Sequence, residues 1–209
     1  MSSRVTRRAA SHAAAATALV MVMLLGACSS APPTRFHSLT PPPATGPASP
    51  VAVGTLAWEV LPVTVPIQVD QPQWVVRTVD GSLAVLEQER WIAPIADEIR
   101  AAVVDRLTQV LGAPAIAAEP RNRWRIRIDV KRFESAPGRE ARLEATWTLS
   151  SGAEESAALR CHAALVQVPS GSGYLALASG HQQGVTRLAD AIGTALKALG
   201  AGQPAACAP

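Results

Sequence analysis

Trp124-Arg125-Ile126-Arg127-Ile128-Asp129-Val130 alternates apolar and charged residues without a break. Side chains on a strand point alternately to opposite faces, so this period of two puts Trp124, Ile126, Ile128 and Val130 on a buried face. Arg123, Arg125, Arg127 and Asp129 fall on a solvated one. Glu140 to Leu149 repeats the pattern, with Ala141, Leu143, Ala145, Trp147 and Leu149 inward and Glu140, Arg142, Glu144, Thr146 and Thr148 outward. Ser135-Ala136-Pro137-Gly138 between them predicts a hairpin turn. A register pairing Lys131 with Glu140, Asp129 with Arg142 and Arg127 with Glu144 opposes unlike charges at every step and is the expected one. A third strand, Ala157 to Val166, sets Leu159, Cys161, Ala163 and Leu165 against Arg160 and His162.

On either side of this meander the period changes to that of a helix. Ile95, Ile99, Val103 and Leu107 recur every four residues, Pro94 suits a first turn, and Gly112 and Pro114 stop the run, which predicts a helix from Pro94 to Leu111. Val185, Leu188, Ile192, Leu196 and Leu199 form the stripe of a second helix from about Tyr174 to Leu199, closed by Gly200. Upstream, Trp74–Val79 and Leu83–Leu86 flank Asp80-Gly81, a strong hairpin signal, and Val51–Leu56 reads as a further strand. The order of elements implies an α+β domain: an antiparallel sheet with two main helices packed on one face, plus a projecting hairpin.

The N-terminus is of another kind. Arg4, Arg7 and Arg8 precede an apolar stretch from Ala13 to Leu25, which ends in Leu25-Gly26-Ala27-Cys28. This is a lipoprotein signal peptide over residues 1–27, with Cys28 as the acylated first residue of the mature chain. The apolar run is short of the roughly 20 residues a spanning helix needs. Ser29, and not Asp, follows the cysteine, which favours forwarding to the outer membrane. Residues 28–50 are rich in Pro, Ser, Thr and Ala and read as a tether, although Thr34–Leu39 has room for a short edge strand. The folded domain is expected over 51–200, with a tail at 201–209.

Cleavage removes three of the nineteen basic residues and no acidic one, leaving sixteen against sixteen. The mature chain is neutral, so the basic precursor says nothing about nucleic acid, which is set aside as a partner. Cys161 and Cys207 either form a disulfide that pins the tail to the sheet, or leave a buried thiol and a frayed end.

Catalytic constellations are lacking. Cys161 and His162 are neighbours on a strand and point apart. Gly171-Ser172-Gly173 has no preceding strand to present a nucleophile and reads as a turn. His37, His162 and His181 have no ligand-spaced partners, so no metal is expected, and no nucleotide or cofactor motif occurs. The arginine row Arg121, Arg123, Arg125, Arg127 is either a solvated face neutralised by Glu140 and Glu144 or a surface for phospholipid headgroups, whose phosphates suit guanidinium forks. Trp91, just before the first helix, reads as core.

Several ordered segments resemble a known family. They are Asp70-Gln71-Pro72-Gln73-Trp74-Val75-Val76-Arg77, Glu89-Arg90-Trp91-Ile92-Ala93-Pro94-Ile95, and the two strands around Ile128 and Trp147. Together they are similar to the ABC-type transport auxiliary lipoproteins, the PqiC- or YmbA-like family, over about residues 34–199. Gln71 and Ile92-Ala93 depart from its pattern. The resemblance implies a non-enzymatic, periplasm-facing outer-membrane component of an MCE (mammalian cell entry) lipid-transport system. It would dock a periplasm-spanning MCE protein and, through it, an inner-membrane permease, and a homo-oligomeric ring would suit a ring-shaped partner. Gln73, Trp74 and Arg77, matched residues on the hairpin, are the expected partner surface. The rival readings are an autonomous periplasmic lipid- or ligand-binding lipoprotein, which needs an enclosed apolar pocket, and an envelope hydrolase, which needs a nucleophile and base.

Overall fold

The long amphipathic strand at the centre of the sequence is also central in space. In the computed structural model, which describes residues 32–42, 52, 54–116, 123–151 and 157–207, the elements in chain order are β1 (Arg35–His37), β2 (Trp58–Val60), β3 (Gln73–Arg77), β4 (Leu83–Trp91), α1 (Ile95–Leu111), β5 (Trp124–Ala136), β6 (Glu140–Ser150), β7 (Ala157–Gln167) and α2 (Gly173–Gly200). Among the described residues two sheets form, β2-β5-β6-β7 and β1-β4-β3; β1 pairs with β4 and β2 with β5 in parallel, a single parallel bridge joins Thr64 to Asp129, and the other strand pairs are antiparallel. The fold is α+β, as the periodicities imply.

Ala141, Leu143, Ala145, Trp147 and Leu149 of β6 are all buried, which makes β6 the floor of the core. α2 covers this face with Leu177, Val185, Leu188, Ile192 and Leu196, and α1 packs beside it with Ile95, Ile99, Val103 and Leu107. Contact between the helices is close because Gly193 has no side chain: a Cβ there would lie 3.1 Å from Val110. Arg106 ties the pair together by donating to both carboxylate oxygens of Asp190.

The register of the central hairpin differs from the expected one. Ala136 pairs with Glu140, Glu134 with Arg142, Arg132 with Glu144 and Asp129 with Thr146. Pro137 and Gly138 (φ +72°) close a tight turn in which Arg139 N–H donates to Ala136 C=O, so β5 continues six residues past Val130. A bulge between Val130 and Arg132 absorbs one residue. It changes the phase of the strand, so that Phe133 and Ser135 face inward while Arg132 and Glu134 face out. Unlike charges still oppose each other, but in other pairs.

Of the two elements upstream of the hairpin, β1 lies where Thr34–Leu39 has room for an edge strand, and β2 is displaced from its expected position. The strand beside β5 is Trp58–Val60, whereas the described part of the Val51–Leu56 stretch is bent. There Gly54 N–H donates to Ala113 C=O, and Ala113 N–H donates to Ala52 C=O, tying the stretch to the chain leaving α1. The folded unit also begins at Thr34 and not at Val51. Arg35, Phe36 and His37 pair with Glu89, Arg90 and Trp91, and Leu39 is completely buried.

Candidate functional site

β3 and β4 form the hairpin on which Gln73, Trp74 and Arg77 lie. Its inner face carries Trp74 and Val76, paired with Leu86 and Ala84, into the core. Between Gln73 and Trp74 the pairing jumps from Arg90 to Leu86, and this irregularity lets Glu89 and Trp91 of the same β4 strand point inward as well.

Trp74 is therefore corrected as a contact residue. It is only 1% exposed, its ring centroid is 4.4 Å from that of Trp91, and its indole N–H donates to Ser135 Oγ at 2.7 Å. An indole with an apolar body and a satisfied N–H is an internal pin. Ser135 Oγ in turn lies 2.8 Å from His181 Nε2, and the His181 ring stacks on Phe133 at 4.1 Å. Burial pushes the His181 imidazole down to about 3, so it is neutral at physiological pH.

Arg77 is partly exposed and braces the hairpin from outside. Its Nε donates to Glu134 Oε1 at 2.6 Å, and its Nη1 donates to Gly81 C=O at 2.8 Å. Gln73 is half-buried at the irregularity. At the tip, Asp80 accepts from Thr78 and from the Ser82 backbone and hydroxyl, which holds its carboxyl down at about 2. Gly81 takes φ +89°, the conformation this turn requires. The result is a rigid hairpin whose apolar side chains Val79, Leu83 and Val85 remain exposed. A groove of about 180 Å³ separates it from β5, lined by Val69, Val75, Arg77, Leu83 and Arg132 among others.

The arginine row is not uniform. Arg123 and Arg125 both converge on Glu59 of β2, at 3.1 and 3.4 Å. Arg127 is exposed and has no ion pair among the described residues. Arg121 and Cys28 lie outside the described residues. Cys161 faces the core and His162 the solvent, and the Cys161 and Cys207 sulfurs are bonded, with Cα atoms 5.5 Å apart. Among the described residues no cluster of three His, Cys, Asp or Glu is placed to hold a metal, and no helix is long and apolar enough to cross a membrane.

Sequence reasoning missed a buried ionic group at the start of the fold. Glu89 is 3% exposed, accepts from Arg35 Nε at 2.8 Å, and lies 2.6 Å from His37 Nε2. Burial alone would raise its carboxyl, but hydrogen bonds and charge from Arg35 and His37 outweigh that and hold it below the usual carboxylate range. The signal was present in Arg35-Phe36-His37, an alternating triplet beside the Pro-rich stretch.

A comparison with curated protein sequences gave no match. Among solved structures, the chain is similar to an uncharacterized protein, with a TM-score of 0.62, 16% identity, and coverage of 78% of this chain and 98% of that one. It is also similar to a Xanthomonas campestris protein of the DUF330 family, with a TM-score of 0.60, 22% identity, and coverage of 77% and 93%. At such identities the likeness concerns the fold. The family model for the ABC-type transport auxiliary lipoprotein component matches residues 37–193, and the chain belongs to that family.

Proposed function

We propose that this lipoprotein is the outer-membrane, periplasm-facing subunit of an MCE-type intermembrane lipid-transport system, anchored by acylated Cys28 and acting as an adaptor without covalent chemistry. The family match over residues 37–193 is the observation that carries this reading, because it makes the folded unit an auxiliary part of an ABC-type transporter. The partner in the proposal is a periplasm-spanning MCE protein, through which the subunit connects to an inner-membrane permease.

The docking surface in this proposal is the β3–β4 hairpin. Its outer side offers exposed Val79, Leu83 and Val85 beside Gln73 and Arg77, while Trp74 fixes the hairpin from within. Exposed apolar side chains on a braced element suit a protein partner, since little order is lost on binding. In the arginine row, contact with a phospholipid headgroup in transit falls to Arg127. Affinity purification of the tagged, lipidated protein from its own envelope tests the reading: an MCE-domain protein should co-purify. Val79→Asp with Val85→Asp should abolish its recovery while leaving the protein folded, because both side chains are exposed. Unchanged recovery from that variant would remove the hairpin as the docking surface, and bound lipid without any partner would favour an autonomous carrier.

A further inference from the structure

A second exposed apolar surface lies away from the hairpin tip, at the start of the fold. Phe36 (59% exposed), Leu175 (79%) and Ile92 (61%) are large apolar side chains in solvent. Phe36, Tyr174 and Leu175 line one open concavity of about 580 Å³, which Arg35 also borders, and Ile92 adjoins it through its N–H bond to His37 C=O. Phe36 is held rigidly: β1 is in register with β4, and its neighbours Arg35 and His37 are both bound to Glu89. Arg35 spends Nε and Nη2 on Glu89, and its side chain is still 68% exposed, so the rest of the guanidinium faces solvent.

The chain leaving this surface is short. Five residues separate Cys28 from Thr34, the first residue of the fold. A fully extended chain of that length reaches roughly 20 Å. A lipid on Cys28 therefore keeps the bilayer within that distance of Thr34, and within roughly 28 Å of Phe36 two residues further on, whichever way the domain turns.

We infer that the surface formed by Phe36, Ile92, Tyr174 and Leu175, with Arg35 at its rim, rests on the phospholipid bilayer that holds the protein's own anchor. The apolar and aromatic side chains enter the headgroup boundary, where amphipathic rings are favoured, and the free edge of the Arg35 guanidinium meets lipid phosphate. This orients the domain on the membrane and does not merely tether it. The inference rests on lipidation of Cys28, as does the localisation proposed above.

The test uses the full lipidated protein in vesicles of phosphatidylethanolamine and phosphatidylglycerol that contain a photoreactive phospholipid, with adducts mapped by mass spectrometry. Adducts concentrated on Arg35–His37 and Gly173–Leu175 are expected, with their loss to background in Phe36→Ser/Leu175→Ser, whose far-ultraviolet spectrum and Tm should match the parent because both side chains are exposed. Adducts centred instead on the Val79 hairpin tip or on Arg127, or cross-links joining two copies through Phe36, would overturn the inference while leaving the anchor intact. An N-terminal peptide without acyl chains would overturn the anchor itself and this inference with it.

Discussion

Substituting the neutral His181 should change how stability depends on pH and not only how large it is. The imidazole is 2% exposed, stacked on Phe133 and bonded to Ser135, and burial holds its basicity at about 3 against an ordinary 6.5. Above pH 6.5 both the native and unfolded chains carry it uncharged, and it adds no pH dependence. Below that, the unfolded chain takes up a proton that the native chain refuses, so stability falls with pH until about 3. At pH 5 the linkage amounts to about 2 kcal/mol. His181→Gln keeps a polar group for Ser135 and removes the titration. Urea denaturation of parent and variant at intervals from pH 7.5 to 4.5 measures the effect. The variant loses stability at neutral pH through poorer packing, but the gap between the two proteins should close by about 2 kcal/mol on going to pH 5. Carboxylates such as Glu89 titrate in both proteins and cancel in the difference. Two profiles that stay parallel over this range would refute the assignment of a buried, neutral His181.

Gly54→Ala should destabilise strongly, because a Cβ there would meet the Leu111 carbonyl oxygen at 2.3 Å and backbone cannot yield as a side chain can. A cost of about 3 kcal/mol and a drop in Tm of roughly 10 °C are expected by calorimetry. Cys207→Ser should lower stability by about 4 kcal/mol, since the Cys161–Cys207 bond closes a loop of 46 residues in the unfolded chain. Non-reducing mass analysis should find no free thiol in the mature domain, and two free thiols would remove the basis of this expectation.

What was legible in the sequence is what depends on periodicity within one element. The stripes of α1 and α2 and the alternation in β5, β6 and β7 follow from local spacing and are where the residues imply. Register was not legible, because the bulge at Lys131 and the tight Pro137-Gly138 turn shift the pairing by several residues, and a bulge is invisible to a charge-matching argument that assumes even spacing. β1 was legible only as room for a short edge strand at Thr34–Leu39, and its partner was not: three residues beside a Pro-rich run become a strand through parallel pairing with Glu89–Trp91, more than fifty residues away. The hairpin was found from Asp80-Gly81, but the roles of its residues were set at long range. Trp74 is claimed by Ser135 and Trp91, and Arg77 by Glu134 across 57 residues. No local pattern distinguishes a tryptophan pinned from behind from one offered to a partner.

The shortness of β1 also has a mechanical meaning. With an anchor on Cys28, any pull between membrane and partner enters the domain through Arg35–His37, the first ordered strand. That strand lies parallel to β4 and is flanked by the Arg35–Glu89 and His37–Glu89 clamps. Tension applied along it shears the β1–β4 hydrogen bonds together and does not peel them one at a time. A pull on the proposed anchor would thus pass from β1 into β4, the strand that also pairs with β3 in the hairpin.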